Sequence, residues 1–373
     1  MKIQRCGEKE LEAIERFWAL YREKPGLEER LVDERERLRH LRVEGLGFSS
    51  VGEFANPFAN GEGSVWLAWS EGQPVAHLCR SLCPAYHKGR RIDSGWWRDL
   101  FAVADSVGGH AAAALALNVA HIDGGHAGLG TPGVESQAGR LYRALRFDYW
   151  GAVPFLYHVI DGARLLRNLS VFKRNQFSAS VAHIASHLYF PGKVIALRHR
   201  RRPTLVSPVR VEPWNGFPAD ADWLWDRVVK RFSFVFDRST PYLNWRYAED
   251  CYTRCGVFAE DQLIGWVVWK LTGMKSNWHF GNLTVGTVVD LLADPDNPTE
   301  VRTVLRVALD ELTHNGADLV VTNLSDQRML KAASEVGFIS GPSNYHFFTK
   351  NLPTLKLEEC HLTRGDSDGD RRL

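Results

Sequence analysis

The chain has 373 residues, 45% of them hydrophobic and 24% charged, so it has the length and the apolar content for two globular domains. Its 46 Lys and Arg residues against 44 Asp and Glu residues give a formal net charge of +2, which excludes a global field that recruits DNA or an anionic membrane. No apolar leader follows Met1, and no stretch approaches the ~20 apolar residues of a membrane span. We therefore expect a cytoplasmic protein without a membrane span.

Hydrophobic periodicity predicts a first domain over residues 1–160. It opens with a short strand, an amphipathic helix over Lys9–Glu23 and a charged helix that extends to about Val43. Two strands on either side of Ser70–Gln73 predict a hairpin. The remaining predicted elements are, in order, a buried strand at 97–103, a glycine-containing turn, an alanine-rich helix at 110–119, a strand at 127–131, a helix at 135–145 and a strand at 153–160.

A weaker copy of that element order over residues 205–352 predicts a second domain. Its predicted elements are strands at 263–269 and 287–292, a helix at 298–315, a strand at 318–322, a helix at 327–336 and a strand at 345–349. Residues 161–204 are predicted to be a helical linker that ends in the basic run Arg198–Arg202. The polar composition of residues 353–373 predicts a disordered tail.

The cysteines and histidines lack the spacing of a metal site, because no second pair stands near any of the candidate pairs. We predict reduced, structural thiols and no bound metal. The pairs considered are Cys79 with Cys83, Cys251 with Cys255, and His183 with His187.

Two segments of the first half, Asp99–Gly109 with the helix after it and Leu141–Phe147, resemble the signature regions of the GNAT superfamily of acyl-CoA N-acyltransferases. The resemblance covers residues 1–160, and a degenerate copy covers about 205–352. The whole is similar to fused GNAT pairs, some of which acylate amino sugars on nucleotide carriers. It implies an α/β (α+β) fold of two tandem GNAT-like domains, with mixed, mostly antiparallel sheets flanked by helices, and acyl-CoA as cosubstrate without a metal.

The resemblance also implies where coenzyme A would bind. In this superfamily one strand splays from its neighbour and exposes backbone amides to the pantetheine arm and the thioester, and a glycine loop at a helix N-terminus holds the pyrophosphate. The residues that fall at these positions are Phe101, Ala102 and Val103 on the strand, and Val107, Gly108, Gly109, His110 and Ala111 at the helix. The usual Arg or Gln at the start of the loop is replaced by Ser106 or Val107.

Three residues are candidates for proton transfer. Tyr142 stands where the family often places the acid that protonates the departing thiolate, although packing against the sheet explains a tyrosine there equally well. Asp99 is the first candidate for the base and His77 the second, and each also has a structural explanation as a satisfied polar group on a strand.

The second half carries no comparable loop. Its equivalent, Ala293–Pro298, contains two carboxylates that repel a pyrophosphate and two prolines that lack an N–H donor. We therefore predict an acyltransferase that uses acyl-CoA and a small-molecule amine, with its coenzyme site in the first half. The alternatives are a non-catalytic GNAT-fold binding protein and an aminoacyl transferase that uses aminoacyl-tRNA.

Overall fold

The computed structural model describes residues 1–7, 10–22, 56–59, 65–103, 106–131, 133–168, 205–206, 208–275, 277, 280–367 and 370. The chain forms two compact units. The first comprises Met1–Ala152 with Asn344–Thr354, and the second comprises Val153–Ser343 with Leu355–Arg371.

The first unit is built on a seven-stranded sheet with the strand order β1-β2-β3-β6-β7-β17-β8. Only the pair of β6 and β7 is parallel, and all the other neighbours are antiparallel. The elements are β1 (Lys2–Cys6), α1 (Leu11–Arg22), β2 (Val65–Ser70), β3 (Gln73–Leu82), the small hairpin β4 (Ala85–His87) and β5 (Arg90–Ile92), β6 (Ser94–Ala102), α2 (Ser106–Val119), β7 (Gly125–Thr131), α3 (Gln137–Ala144), β8 (Asp148–Ala152) and β17 (His346–Lys350).

Helices cover the two faces of this sheet because its strands alternate apolar side chains between them. On one face, Ile14, Phe17 and Trp18 of α1 pack on β2 and β3. On the other face, Ala111 and Leu115 of α2 and Tyr142 of α3 pack on β3, β6 and β17. The predicted charged helix up to about Val43 lies outside the described residues.

The second unit repeats the pattern with a sheet in the order β10-β12-β13-β14-β15-β9-β16, in which only β14 and β15 are parallel. Its elements are β9 (Phe155–Val159), α4 (Gly162–Asn168), β10 (Val209–Trp214), α5 (Asp220–Val228), β11 (Phe234–Phe236), α6 (Thr240–Arg246), β12 (Thr253–Ala259), β13 (Gln262–Gly273), β14 (Thr284–Ala293), α7 (Pro298–His314), β15 (Leu319–Asn323), α8 (Gln327–Glu335), β16 (Ile339–Gly341) and β18 (Cys360–His361).

Each unit takes one strand from the part of the sequence that was assigned to the other. β9, predicted to close the first domain, pairs with β15 in the second unit. β17, predicted to close the second domain, pairs with β7 and β8 in the first unit. The unit boundaries therefore differ from the predicted limits of 1–160 and 205–352. Residues 169–204 of the predicted linker, including Arg198–Arg202, lie outside the described residues.

The prediction of a disordered tail over residues 353–373 is wrong for the residues described there. Cys360, Leu362 and Thr363 are wholly buried in the second unit. β18 pairs in parallel with β11, and the Asp366 carboxylate accepts two hydrogen bonds of 2.9 Å from Arg238. Buried arginines bind the aspartates that made the composition resemble a disordered segment.

Candidate functional site

The two parallel strands of the first unit separate after a short paired stretch. β6 and β7 pair only from Ser94 and Gly125 to Trp96 and Ala127. Beyond that point β6 continues to Ala102, bonded to β3, and β7 continues to Thr131, bonded to β17. The result is a gap in the middle of the sheet, closed at Trp96 and Ala127 and open toward Ala102 and Thr131.

A bulge in β6 accompanies this separation. Between the pairs His77–Phe101 and Cys79–Arg98, β6 carries one residue more than β3. Asp99 lies in the bulge with φ of 52°, a left-handed conformation that aspartate tolerates better than most residues. Its Oδ2 atom is buried and makes no hydrogen bond within the described part of the chain. Asp99 thus remains a candidate for the base.

His77, the second candidate for the base, has a structural role. It is wholly buried, its ring stacks on Phe17 at 5.5 Å, and its Nδ1–H donates to the Asp99 carbonyl oxygen at 2.8 Å. Burial lowers the pKa of this histidine. Its contacts with α1 hold β3 and the bulge in place, and this placement argues against His77 as the base.

The helix that follows β6 begins earlier than predicted. α2 starts at Ser106, so Val107, Gly108, Gly109 and His110 form its first turns instead of a loop, and no acidic residue stands in its first turn. Val107, Gly109 and His110 are exposed, whereas Ala111 is buried in the core. The exposed N-terminus of this helix is the positive end of its dipole and suits an anion. Ala111 is too deep to take part through its side chain.

The two glycines of this turn have different surroundings. A Cβ on Gly108 would collide with the carbonyl oxygen of Val103, so glycine is required there for the helix to approach the end of β6. A Cβ on Gly109 would meet no atom within 4 Å. Gly108 is therefore explained by the fold, whereas Gly109 has a free face that a ligand could use.

The three predicted strand residues differ in the direction of their amides. The Val103 N–H donates to the Val75 carbonyl at 3.0 Å, so it is not the pantetheine donor that the sequence predicts. Because successive N–H groups of a strand point to opposite edges, the Ala102 N–H is directed toward the gap and the Phe101 N–H toward β3. The Phe101 ring lies 5.4 Å from Trp18 on the α1 face.

Tyr142 lies over the gap at its closed end. A Cβ on Gly128, the first residue of β7 after the paired stretch, would overlap the Tyr142 hydroxyl and ring. The ring stacks on Phe348 at 5.0 Å and also contacts Phe147 and Trp97. Ser136 caps α3, the helix that carries Tyr142, by accepting the Gly139 N–H. Packing fixes the ring, and the hydroxyl reaches β7.

His126 and Trp97, which the sequence analysis did not single out, support this arrangement. The Trp97 Nε1–H donates to His126 Nδ1 at 3.0 Å, and the His126 Nε2–H donates to the Ile122 carbonyl at 3.0 Å. Burial, with the nearby Arg80 charge, lowers the pKa of His126 to about 4, so the ring is neutral at neutral pH. In the sequence, the glycine at position 128 inside a strand was the signal that a side chain packs closely against the backbone there.

Substitutions of the two glycines separate a ligand role from a folding role. We expect Gly109→Val to leave the free energy of unfolding within about 1 kcal/mol of wild type, since the new side chain meets open space. The same change should weaken coenzyme A binding about ten-fold or more by displacing the phosphates. Urea unfolding and calorimetric titration of the same preparation measure both quantities.

Two further variants are the controls. Asn118→Val places the same side chain at an exposed site at the other end of α2 and should leave affinity unchanged. Gly108→Ala should lower stability by about 1 kcal/mol or more because the Val103 carbonyl stands in the way. Wild-type affinity in a stable Gly109→Val protein would remove the helix N-terminus from the binding site.

The second unit has an equivalent gap, and the chain itself fills it. β14 and β15 pair only from Val285 and Leu319 to Thr287 and Val321. Residues 361–365 then run between them. On the β14 side, the Gly365 N–H donates to the Val289 carbonyl at 2.7 Å, and the His361 Nε2–H donates to the Leu291 carbonyl at 3.0 Å. On the other side, the Leu362 carbonyl accepts from the N–H of Ser325, which comes just after β15, at 3.1 Å.

The helix N-terminus at this second gap is also satisfied from within the chain. The Asn297 side chain caps α7 by accepting the Glu300 N–H, and the Glu300 carboxylate lies 3.6 Å from Arg227. Asp294 and Asp296 precede the helix, as the sequence analysis noted. Acidic groups and the tail thus occupy the places that a pyrophosphate and a pantetheine arm would need.

Comparison with known proteins shows a likeness in fold alone. No protein-family model matches the chain, and no curated protein matches it. Among solved structures, a GCN5-related N-acetyltransferase from Anabaena variabilis is similar with a TM-score of 0.56 and 11% identity, over 94% of this chain and 72% of that one. A probable N-acyltransferase from Enterococcus faecalis is similar with a TM-score of 0.52 and 7% identity, over 94% and 71%.

The likeness confirms the predicted fold class: the chain has the GNAT fold, with mixed, mostly antiparallel sheets flanked by helices. Within the described residues, no helix is long and apolar enough to cross a membrane. No group of three or more His, Cys, Asp or Glu side chains in that part of the chain is placed to hold a metal ion. All six cysteines are free thiols.

Proposed function

We propose that the chain transfers an acyl group from acyl-CoA to a primary amine in the gap between β6 and β7. The observation that carries this proposal is the position of the Tyr142 hydroxyl over Gly128, where the two parallel strands have just separated. An extended thioester arm fits between two separated strands as a third strand would, and β6 and β7 separate beyond Trp96 and Ala127. The exposed N-terminus of α2 supports this use.

Different parts of acyl-CoA would bind at different positions along the gap. The N-terminus of α2, around Gly109, would hold the pyrophosphate at the open end, and the exposed His110 stands beside it. The pantetheine arm would lie along the part of β6 beyond Trp96, which does not pair with β7. Ser106 and Val107 supply no cation where related loops have Arg or Gln, so the helix dipole and backbone N–H groups carry the phosphate binding.

The chemistry needs one acid and one base. Acyl-CoA supplies the activated thioester. The amine nitrogen forms a bond to the thioester carbonyl carbon, the carbon–sulfur bond breaks, and the Tyr142 hydroxyl gives its proton to the sulfur as it leaves. Asp99 would take the proton that the amine loses, since its buried Oδ2 lies in the β6 bulge beside the gap.

A primary amine is required by the reaction, and a nucleotide-linked amino sugar is the hypothesis that the sequence resemblance supplies. A non-catalytic binding protein is the main alternative, and the absent loop cation is the observation that favours it. The sequence features that favour aminoacyl transfer from tRNA are scattered lysines and the basic run Arg198–Arg202, which lies outside the described residues.

Acetyl transfer to a panel of amines tests the proposal. The protein is incubated with acetyl-CoA and primary amines that include nucleotide-linked amino sugars, and products that gain one acetyl group are detected by mass spectrometry together with free thiol. We expect at least one amine to be acetylated, and the Tyr142→Phe protein to be much slower. Coenzyme A binding without transfer to any amine, in a panel that also covers peptides and polyamines, would favour the non-catalytic alternative.

A further inference from the structure

Two consecutive tryptophans close the inner end of the gap. Trp96 is the last residue of β6 that pairs with β7, and Trp97 follows it. Both side chains are buried, at 1% and 3% exposure. Because neighbouring residues of a strand point to opposite faces, the two indoles cover the closed end from both sides of the sheet.

Each indole is held in place by contacts on its own face. Trp97 donates to His126 and lies 5.9 Å from the Tyr142 ring and 5.1 Å from the Phe147 ring. Trp96 reaches past β7, with its ring 6.1 Å from Phe347 on β17. A buried side chain with such neighbours cannot move aside without opening a cavity elsewhere.

The orientation of acyl-CoA in the gap would bring its acyl group against Trp96 and Trp97. In the proposed function, the α2 N-terminus would hold the phosphates at the open end, and the Tyr142 hydroxyl over Gly128 would meet the sulfur at the closed end. An acyl chain continues from the sulfur away from the phosphates, and therefore toward Trp96 and Trp97.

We infer that Trp96 and Trp97 limit the substrate to short acyl groups, of the size of acetyl. The inference rests on the proposed function and names the acyl class for the same site. A longer chain would have to displace one indole or leave the gap sideways. A close-packed wall of this kind rejects extra methylene groups through overlap, which costs more than their burial contributes.

Calorimetric titration with free coenzyme A, acetyl-CoA and octanoyl-CoA tests the inference without need of an acceptor. For the wild-type protein we expect acetyl-CoA to bind within about three-fold of free coenzyme A, and octanoyl-CoA to bind about ten-fold or more weakly. Trp97→Leu should restore octanoyl-CoA binding at least about five-fold relative to acetyl-CoA. Trp97→Phe, which removes only the second ring, serves if the leucine variant does not fold.

Trp69→Leu is the matched control, since Trp69 lies on β2, two strands away from β6, and should leave the ratio of octanoyl-CoA to acetyl-CoA affinity unchanged. Equal wild-type affinity for acetyl-CoA and octanoyl-CoA would overturn the inference, and so would an unchanged ratio in folded Trp97 variants. Failure of free coenzyme A to bind would overturn the proposed function as well. The free coenzyme thus distinguishes the two failures.

Discussion

Deletion of residues 355–373 is expected to unfold the second unit. Arg238 is 1% exposed and pairs with Asp366 at 2.9 Å, and Arg246 is 2% exposed and pairs with Asp370 at 2.7 Å. Removal of the segment leaves both guanidinium groups buried with fewer carboxylates, although Asp290 still lies 2.8 Å from Arg238. Breaking a buried pair from one side costs about 3–5 kcal/mol, and a domain is stable by only about 5–15 kcal/mol.

Point variants show whether the ion pairs cause this effect. Asp366→Ala should lower the free energy of unfolding by about 3 kcal/mol or more, because Arg238 loses one of its carboxylate partners and the Thr363 N–H loses its acceptor. Glu358→Ala, which removes an exposed carboxylate from the same segment, should change it by less than about 0.5 kcal/mol. Urea unfolding followed by circular dichroism gives both values, and a truncated protein with the wild-type midpoint would show that the segment is peripheral.

Tyr142→Phe is expected to lower the turnover number about a hundred-fold, with a change in KM below about three-fold, because a proton donor to the leaving thiolate acts in the transition state. The phenyl ring keeps the contacts with Trp97, Phe147 and Phe348, so the fold should be retained. Steady-state kinetics of thiol release, with an amine found in the transfer assay, measures the effect.

Tyr149→Phe is the control for this substitution. Tyr149 lies on β8 with 43% exposure, and its hydroxyl is 2.8 Å from His346 Nδ1, so the same atom is removed from the same sheet away from the gap. We expect its turnover number to equal that of wild type. An unchanged turnover number for Tyr142→Phe, with chemistry shown to limit the rate, would leave Tyr142 only a packing role.

Local patterns predicted most elements of the two units but not their exchange of strands. The turn at Ser70–Gln73 and the flanking apolar runs gave the hairpin of β2 and β3, and apolar spacing gave α7 to within one residue. The alternation in β9 and β17 identifies strands without naming their partners. Those partners are set by packing of segments far apart in the chain, such as Thr349 of β17 beside Asp148 of β8.

The ion pairs of the C-terminal segment could likewise not be predicted from local sequence. The polar sequence around Asp366 and Asp370 predicts a disordered tail, yet Asp366 is bound by an arginine 128 residues earlier in the chain. Only the three-dimensional structure brings the two together. At the candidate site, the resemblance pointed to Tyr142 and to the helix after β6, whereas the separate reasons for Gly108 and Gly109 required knowledge of what surrounds each Cβ.

A calorimetric titration of the wild-type protein with coenzyme A shows whether the first unit holds the one coenzyme site of the chain. The first unit has an open gap and an exposed helix N-terminus, and the second has both places filled by its own residues. We expect one site per chain, with an affinity weakened about ten-fold or more by Gly109→Val. Absence of binding, two sites per chain, or one site unaffected by Gly109→Val would contradict it.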